Sequence, residues 1–148
     1  MLKTIIVSSW ILLLLLMASC TPVNHSIAPY EENIEASQKI ELEAQSFCAE
    51  KRGLENLPPH NFTTDGCSAW PDDPWLACCI QHDIKYWCGG SSEDRESADQ
   101  KFRTCLNDEG YSMTGNLMFL GVRIGGSPSS PFPWRWGYGW DWPRGYDE

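Results

Sequence analysis

The densest chemistry in this chain lies in Cys78-Cys79-Ile80-Gln81-His82-Asp83-Ile84-Lys85-Tyr86-Trp87-Cys88. It sets a titratable base beside an acid, with two cysteines one turn earlier and a phenol one turn later. On a helix, His82 shares a face with Cys78, Cys79 and Tyr86, while Asp83 points about 100° round the barrel. One residue of the pair is then free to activate water while its neighbour holds a metal ion. The plainer alternative is a disulfide-bearing helix with a buried His and a capping Asp. A second stretch, Thr64-Asp65-Gly66-Cys67-Ser68, offers carboxylate and carbonyl oxygens, the donors that a hard cation such as calcium prefers. Taken alone, Asp65-Gly66 is an ordinary turn. Zinc fits poorly, because the sulfurs are better used in disulfides and only His82 is well placed.

These side chains need elements to hold them. Residues 33–53 are good helix formers with Ile34, Ile40, Leu42, Ala44, Phe47 and Cys48 apolar and Gly53 as a stop, which predicts a helix. Residues 57–73 are loop-like, with Pro58-Pro59, Asp65-Gly66 and Pro71-Asp72-Asp73 favouring turns. A helix is expected from about Pro74, which suits a first-turn position, to Cys88, where Gly89-Gly90 ends it. Ser91-Ser92 begins another, with Glu93, Asp94 and Glu96 where acids suit the helix dipole and an apolar stripe of Ala98, Phe102, Cys105 and Leu106. Gly110 breaks it, and 111–124 is apolar enough to cover the remaining core as a helix or an irregular segment. In 127–148, Pro128, Pro131, Pro133 and Pro143 forbid a regular helix while Trp134, Trp136, Trp140 and Trp142 recur. No strand signal is strong, so the class is mainly α.

The whole string, with Cys-Cys before His82-Asp83 and Tyr86 four residues after the His, resembles the active-site helix of the secreted phospholipase A2 superfamily. The likeness covers roughly residues 65–106, a little over a quarter of the chain. It implies a small disulfide-stapled domain around two antiparallel helices, with His82 as the base that activates water, Asp99 as its partner and Asp83 as a calcium ligand. The reaction implied is hydrolysis of the sn-2 ester of a glycerophospholipid to a lysophospholipid and a fatty acid. Calcium would polarise the ester carbonyl, hold the phosphate and, with a loop N–H, stabilise the oxyanion. Animal and venom members carry a Cys three residues after the His, where this chain has Lys85, and their calcium loop is glycine-rich. Here Asp65-Gly66-Cys67-Ser68 through Pro71-Asp72 is similar to the bacterial and fungal type, in which an Asp side chain substitutes for carbonyls. Asp99-Gln100-Lys101-Phe102 with Cys105-Leu106, and Cys88 after Tyr86, are similar to the group XII type.

Within that likeness, a Cys78–Cys105 disulfide between antiparallel helices allows a comparison of heights. His82 would lie about 6 Å along one helix and Asp99 about 9 Å along the other, at nearly one level; Asp94, roughly 16 Å along, would be too far. Asp99 is therefore the expected partner, although six residues do not return it to the face of Cys105. Its carboxylate on one imidazole N–H would fix the tautomer and steady the imidazolium, and Tyr86 could bond the same carboxylate. A Cys67–Cys79 disulfide would pull the 64–68 loop onto the helix, so that Asp65, the Gly66 carbonyl and Asp83 could surround one calcium ion. Cys48 and Cys88 then remain as a pair, one set among the fifteen that six cysteines allow.

The ends of the chain set its compartment. Residues 1–19 have a short positive start, an apolar run over 5–17 and a small-residue cleavage point, the pattern of a signal peptide. Leu16-Met17-Ala18-Ser19-Cys20 resembles a bacterial lipobox, which would place a lipid anchor on Cys20 and make 20–32 a lipidated tether; the alternative is ordinary cleavage. Of seven cysteines, setting Cys20 aside leaves an even six, suited to three disulfides in an oxidising compartment. The expected location is the cell envelope as a lipoprotein, or the exterior as a secreted protein. Losing Lys3 with the signal takes the formal charge from −9 to −10, so no nucleic acid is expected as a partner and strongly anionic membranes should repel the chain. The expected partner is a phospholipid membrane surface. Trp134, Trp136, Tyr138, Trp140 and Trp142 could seat the domain of residues 33–126 on zwitterionic lipid, or the 127–148 tail could wrap over the body or be disordered and bound to an envelope protein. Two functions remain open: a calcium-dependent phospholipase A2, and a non-catalytic relative that binds lipid or protein.

Overall fold

The side chain of Asn33 accepts the Ala36 amide at 3.0 Å and so starts the first helix of the described residues, α1, Ile34–Arg52. The computed structural model describes residues 33–148; the expected signal peptide and tether lie outside the described residues. After a short 3₁₀ turn, Leu54–Asn56, come α2, Leu76–Cys88, α3, Ser92–Asp108, and α4, Ser112–Gly125. No strand occurs among the described residues, and the chain is mainly helical.

Local chemistry accounts for most of these boundaries. Ser91 starts α3 with a reciprocal capping box, its hydroxyl taking the Asp94 amide at 3.2 Å and the Asp94 carboxylate taking the Ser91 amide at 2.9 Å. One boundary differs from expectation: α2 begins at Leu76 and not at Pro74. Residues 73–75 form a turn in which the Trp75 indole bonds the Pro71 carbonyl at 2.8 Å, and the Trp75 carbonyl receives the first helical amides. The 111–124 segment resolves as a helix. Gly115 lets it approach α3, since a Cβ there would stand 3.0 Å from Leu106 and Asn107 atoms.

The helix α2 is the central element. One face packs against α1 through Ala44, Cys48, Ile84, Trp87 and Cys88, while Cys78 and Cys79 pack with Phe102 and Leu106 of α3 and Met118 of α4. Three disulfides staple this arrangement: Cys48–Cys88, Cys67–Cys79 and Cys78–Cys105. The last joins the start of α2 to the end of α3, so the two run antiparallel. Its cysteines are 27 residues apart, so Cys78→Ala/Cys105→Ala should lower the unfolding free energy by about 3.5 kcal/mol in the chain-entropy model. Denaturant titration in non-reducing buffer measures this, and a loss below about 1 kcal/mol would mean that helix packing alone fixes the pair.

The tail over 127–148 is a strap wrapped over the body, one of the arrangements left open for it. A helix leaves its last carbonyls without partners, and the strap supplies them for α2. Gly137 N–H donates to the Tyr86 carbonyl at 2.6 Å, Gly139 N–H to Trp87 at 3.2 Å and the Trp140 indole to Cys88 at 2.9 Å. The Trp136 indole donates to the Gly90 carbonyl at 3.0 Å. Glycine is needed at 139, because a Cβ there would fall 2.6 Å from the Trp87 ring. Of the strap's tryptophans only Trp142 is exposed, so the recurrence of Trp and Gly is the composition of a cap.

The strap closes on charge. Asp147 pairs with Arg52 of α1 and with Arg144 at 2.6 Å, and Arg52 and Arg144 both lie over the Trp140 ring. Burial alone would raise the Asp147 carboxyl, but bonds and charge from the two guanidinium groups hold it below its ordinary range. A depressed folded-state value contributes stability that is present above the unfolded carboxylate value, about 3.9, and lost as pH falls through the lower folded value. Asp147→Asn should therefore lower the thermal midpoint at pH 7, with the gap to wild type closing as the pH is taken below about 4. A gap constant down to pH 2 would assign the clasp to packing instead.

Candidate active site

The fold brings His82 of α2 and Asp99 of α3 together, with His82 Nε2 2.8 Å from Asp99 Oδ1. Asp99 is fully buried. Burial would raise its carboxyl, but hydrogen bonds from His82, Tyr86 and Arg123 hold it low. An ionised carboxylate only accepts, so Nε2 carries the proton and Nδ1 is the free base. Burial also lowers the His82 value, with Lys85 and Arg95 adding to it and Asp99 opposing, which favours the neutral imidazole. The ring is fixed between Tyr86 and Phe102, with centroids 4.2 Å and 4.6 Å away.

Tyr86 donates to the same Asp99 oxygen at 2.7 Å, and burial followed by the Asp99 charge pushes its phenol far up, so it stays a donor. Gly126 permits this packing, since a Cβ there would stand 2.6 Å from the phenol. The strap reaches the network too: Trp136 meets Tyr86 edge-on at 5.0 Å.

Two arginines not singled out from the sequence complete the support. Arg123 of α4 donates to Asp99 Oδ2 at 2.8 Å. Arg95 bonds the Tyr86 phenol at 3.2 Å and the Tyr146 phenol at 2.8 Å. It also bonds the Val122 and Arg123 carbonyls at 2.9 and 2.8 Å, a cation capping the C-terminal end of α4. Arg95 stands four residues before Asp99, so helical spacing could have found it. Arg123 lies 24 residues beyond Asp99 with no local signal.

His82 Nδ1 faces Asp83, 4.0 Å from its Oδ1 and too far for a hydrogen bond. Both residues line a cavity of about 180 Å³ whose other walls include Trp70, Phe102, Met118 and Val122. Gly66 and Ala69 from the 64–72 loop also border it, with φ of 75° and 64°. The left-handed turn at Ala69, disfavoured for a residue with a Cβ, is held by its surroundings. Among these, Asp72 takes the Cys67 amide at 2.9 Å, and the Cys67–Cys79 disulfide binds the loop to α2.

Asp83 and Asp65 border a second cavity of about 210 Å³ on the adjoining side. Burial pushes the Asp83 carboxyl well up, the Asp65 charge adds to this, and the 2.6 Å bond from Thr64 offsets only part. Neither Lys nor Arg pairs with Asp83 among the described residues. Asp65 is exposed and accepts from Ser68 at 2.7 Å. Both side chains present carboxyl oxygens to one cavity, donors of the kind a hard divalent ion takes, and a bound cation would favour the ionised form of Asp83 that burial opposes. His, Cys, Asp and Glu side chains form no group of three with metal-binding geometry among the described residues, so carbonyls such as that of Gly66 would have to complete the shell. Thr64, which orients Asp83, is the loop residue whose role the sequence did not disclose.

No protein-family profile, curated protein or solved structure matches this chain.

Proposed function

We propose that this protein is a calcium-dependent phospholipase A2-like hydrolase that cleaves the sn-2 ester of glycerophospholipids. One observation carries the reading: the imidazole bonds a buried carboxylate through Nε2, leaving Nδ1 as a free base toward an apolar-walled cavity beside Asp83. A serine, cysteine or lysine nucleophile is not required by such an arrangement, because the base acts on water. Apolar walls accept a hydrocarbon chain, which makes a lipid ester a better match than a sugar or a peptide.

The residues divide the work. Nδ1 of His82 takes a proton from water as it attacks the ester carbonyl and later returns it to the leaving alkoxide. Asp99 stabilises the imidazolium in between, and Tyr86 and Arg123 keep Asp99 ionised and aimed. Asp65, Asp83 and the Gly66 carbonyl would hold calcium, which supplies positive charge toward the ester carbonyl and the lipid phosphate. Fatty-acid release from phosphatidylcholine vesicles, with calcium and then with excess chelator, tests the reading. Release that stops with the chelator supports it, and undiminished release removes the metal from the mechanism.

A further inference from the structure

The buried side of α4 walls the cavity, but its outer side is apolar as well. Met113, Leu117, Leu120 and Ile124 recur at intervals of four, three and four, which places them in one stripe. They are 87%, 57%, 56% and 81% exposed. We infer that this stripe is the face by which the protein docks on an electrically neutral lipid surface, with the cavity mouth held against the membrane.

Three observations choose lipid over other occupants. At these exposures the four side chains present roughly 500 Å² of apolar surface, short of the about 800 Å² per partner that a stable dimer buries. A bilayer needs no shape complementarity and accepts a single ridge of this size. The charge pattern agrees: residues 110–140 hold no Asp or Glu, in a chain with 20 of them. The one charge on α4, Arg123, is turned inward to Asp99. Among the described residues this stretch is therefore the longest part of an anionic protein that meets lipid phosphates without acidic side chains of its own.

The stripe is continuous with the site. Gly121 lies between it and the cavity-facing Met118 and Val122, borders the cavity itself, and has open space where a Cβ would be. It forms a low lip over which an acyl chain passes from the membrane to the cavity. At the far end Phe132 stacks on Trp134 at 5.0 Å, and Trp134 borders the cavity. Aromatic rings of this kind favour the level of the head groups. The inference deepens the hydrolase reading and rests on it for the purpose of the face; the docking itself is measured without turnover.

The test uses residues 20–148 carrying Cys20→Ser, so that neither the apolar run over 5–17 nor an acyl group on residue 20 contributes, and sedimentation with phosphatidylcholine vesicles. Leu117→Glu/Leu120→Glu should weaken vesicle binding by about 100-fold and lower the ratio of vesicle to dispersed short-chain phosphatidylcholine hydrolysis. Leu42→Glu, at an exposed apolar residue of α1, should leave binding unchanged. Undiminished binding in the α4 variant, or equal loss in the Leu42 variant, overturns the inference. So does a wild-type dimer in analytical ultracentrifugation that the α4 variant dissociates. A wild-type chain that binds vesicles through α4 but hydrolyses neither substrate defeats the hydrolase reading and leaves the docking face standing.

Discussion

His82→Gln should lower ester hydrolysis by about 10²- to 10⁴-fold, the usual contribution of a positioned general base, while leaving the fold in place. A glutamine amide can still donate to Asp99 from nearly the position of Nε2, so the buried carboxylate keeps its partner and the stacking against Tyr86 and Phe102 is largely retained. The amide oxygen, unlike Nδ1, cannot accept a proton at neutral pH. The variant thus separates proton transfer from packing. Because base and carboxylate act as a unit, adding Asp99→Asn should reduce the rate little further. A variant that folds and still turns over within tenfold of wild type would take the base away from this imidazole.

Asp83→Asn should reduce calcium-stimulated hydrolysis by about 10²- to 10³-fold, comparable to removing one group that stabilises an oxyanion. Its effect on stability should have the opposite sign. In chelator the wild-type chain buries a carboxyl whose ionisation burial and the Asp65 charge both oppose, with neither Lys nor Arg paired to it among the described residues, whereas the amide has no charge to desolvate. The variant's thermal midpoint without calcium should equal or exceed that of wild type. Calcium should raise the wild-type midpoint by mass action and leave the variant unmoved. An equal calcium response in both proteins would place the ion away from Asp83.

The sequence disclosed what depends on short spacing. Asn33 and Gly53 bound α1, Ser91 with Asp94 starts α3, and Gly89-Gly90 ends α2, because caps act within a turn of the residues they terminate. The His82–Asp99 juxtaposition was legible through helix rise once a Cys78–Cys105 crosslink was assumed. What stayed hidden depends on long-range contact. Arg123 meets Asp99 only because α4 packs on α3, and nothing near either residue records that approach. The strap was equally opaque: Gly137 and Gly139 act through backbone amides on carbonyls some fifty residues earlier, and backbone groups carry no sequence signature. Its tryptophans allowed either a lipid boundary or a tail wrapped over the body, and composition carries nothing to say that Trp136 is buried while Trp134 and Trp140 are half-buried. The exposed apolar ridge is on α4, in the segment whose conformation the sequence left undecided.

Position of cleavage tests the central claim most directly. Phosphatidylcholine labelled separately in its two acyl chains should, with calcium, yield free fatty acid carrying only the sn-2 label and lysophospholipid retaining the sn-1 label. Release of the sn-1 chain, or sn-2 release undiminished in His82→Gln, would contradict the account.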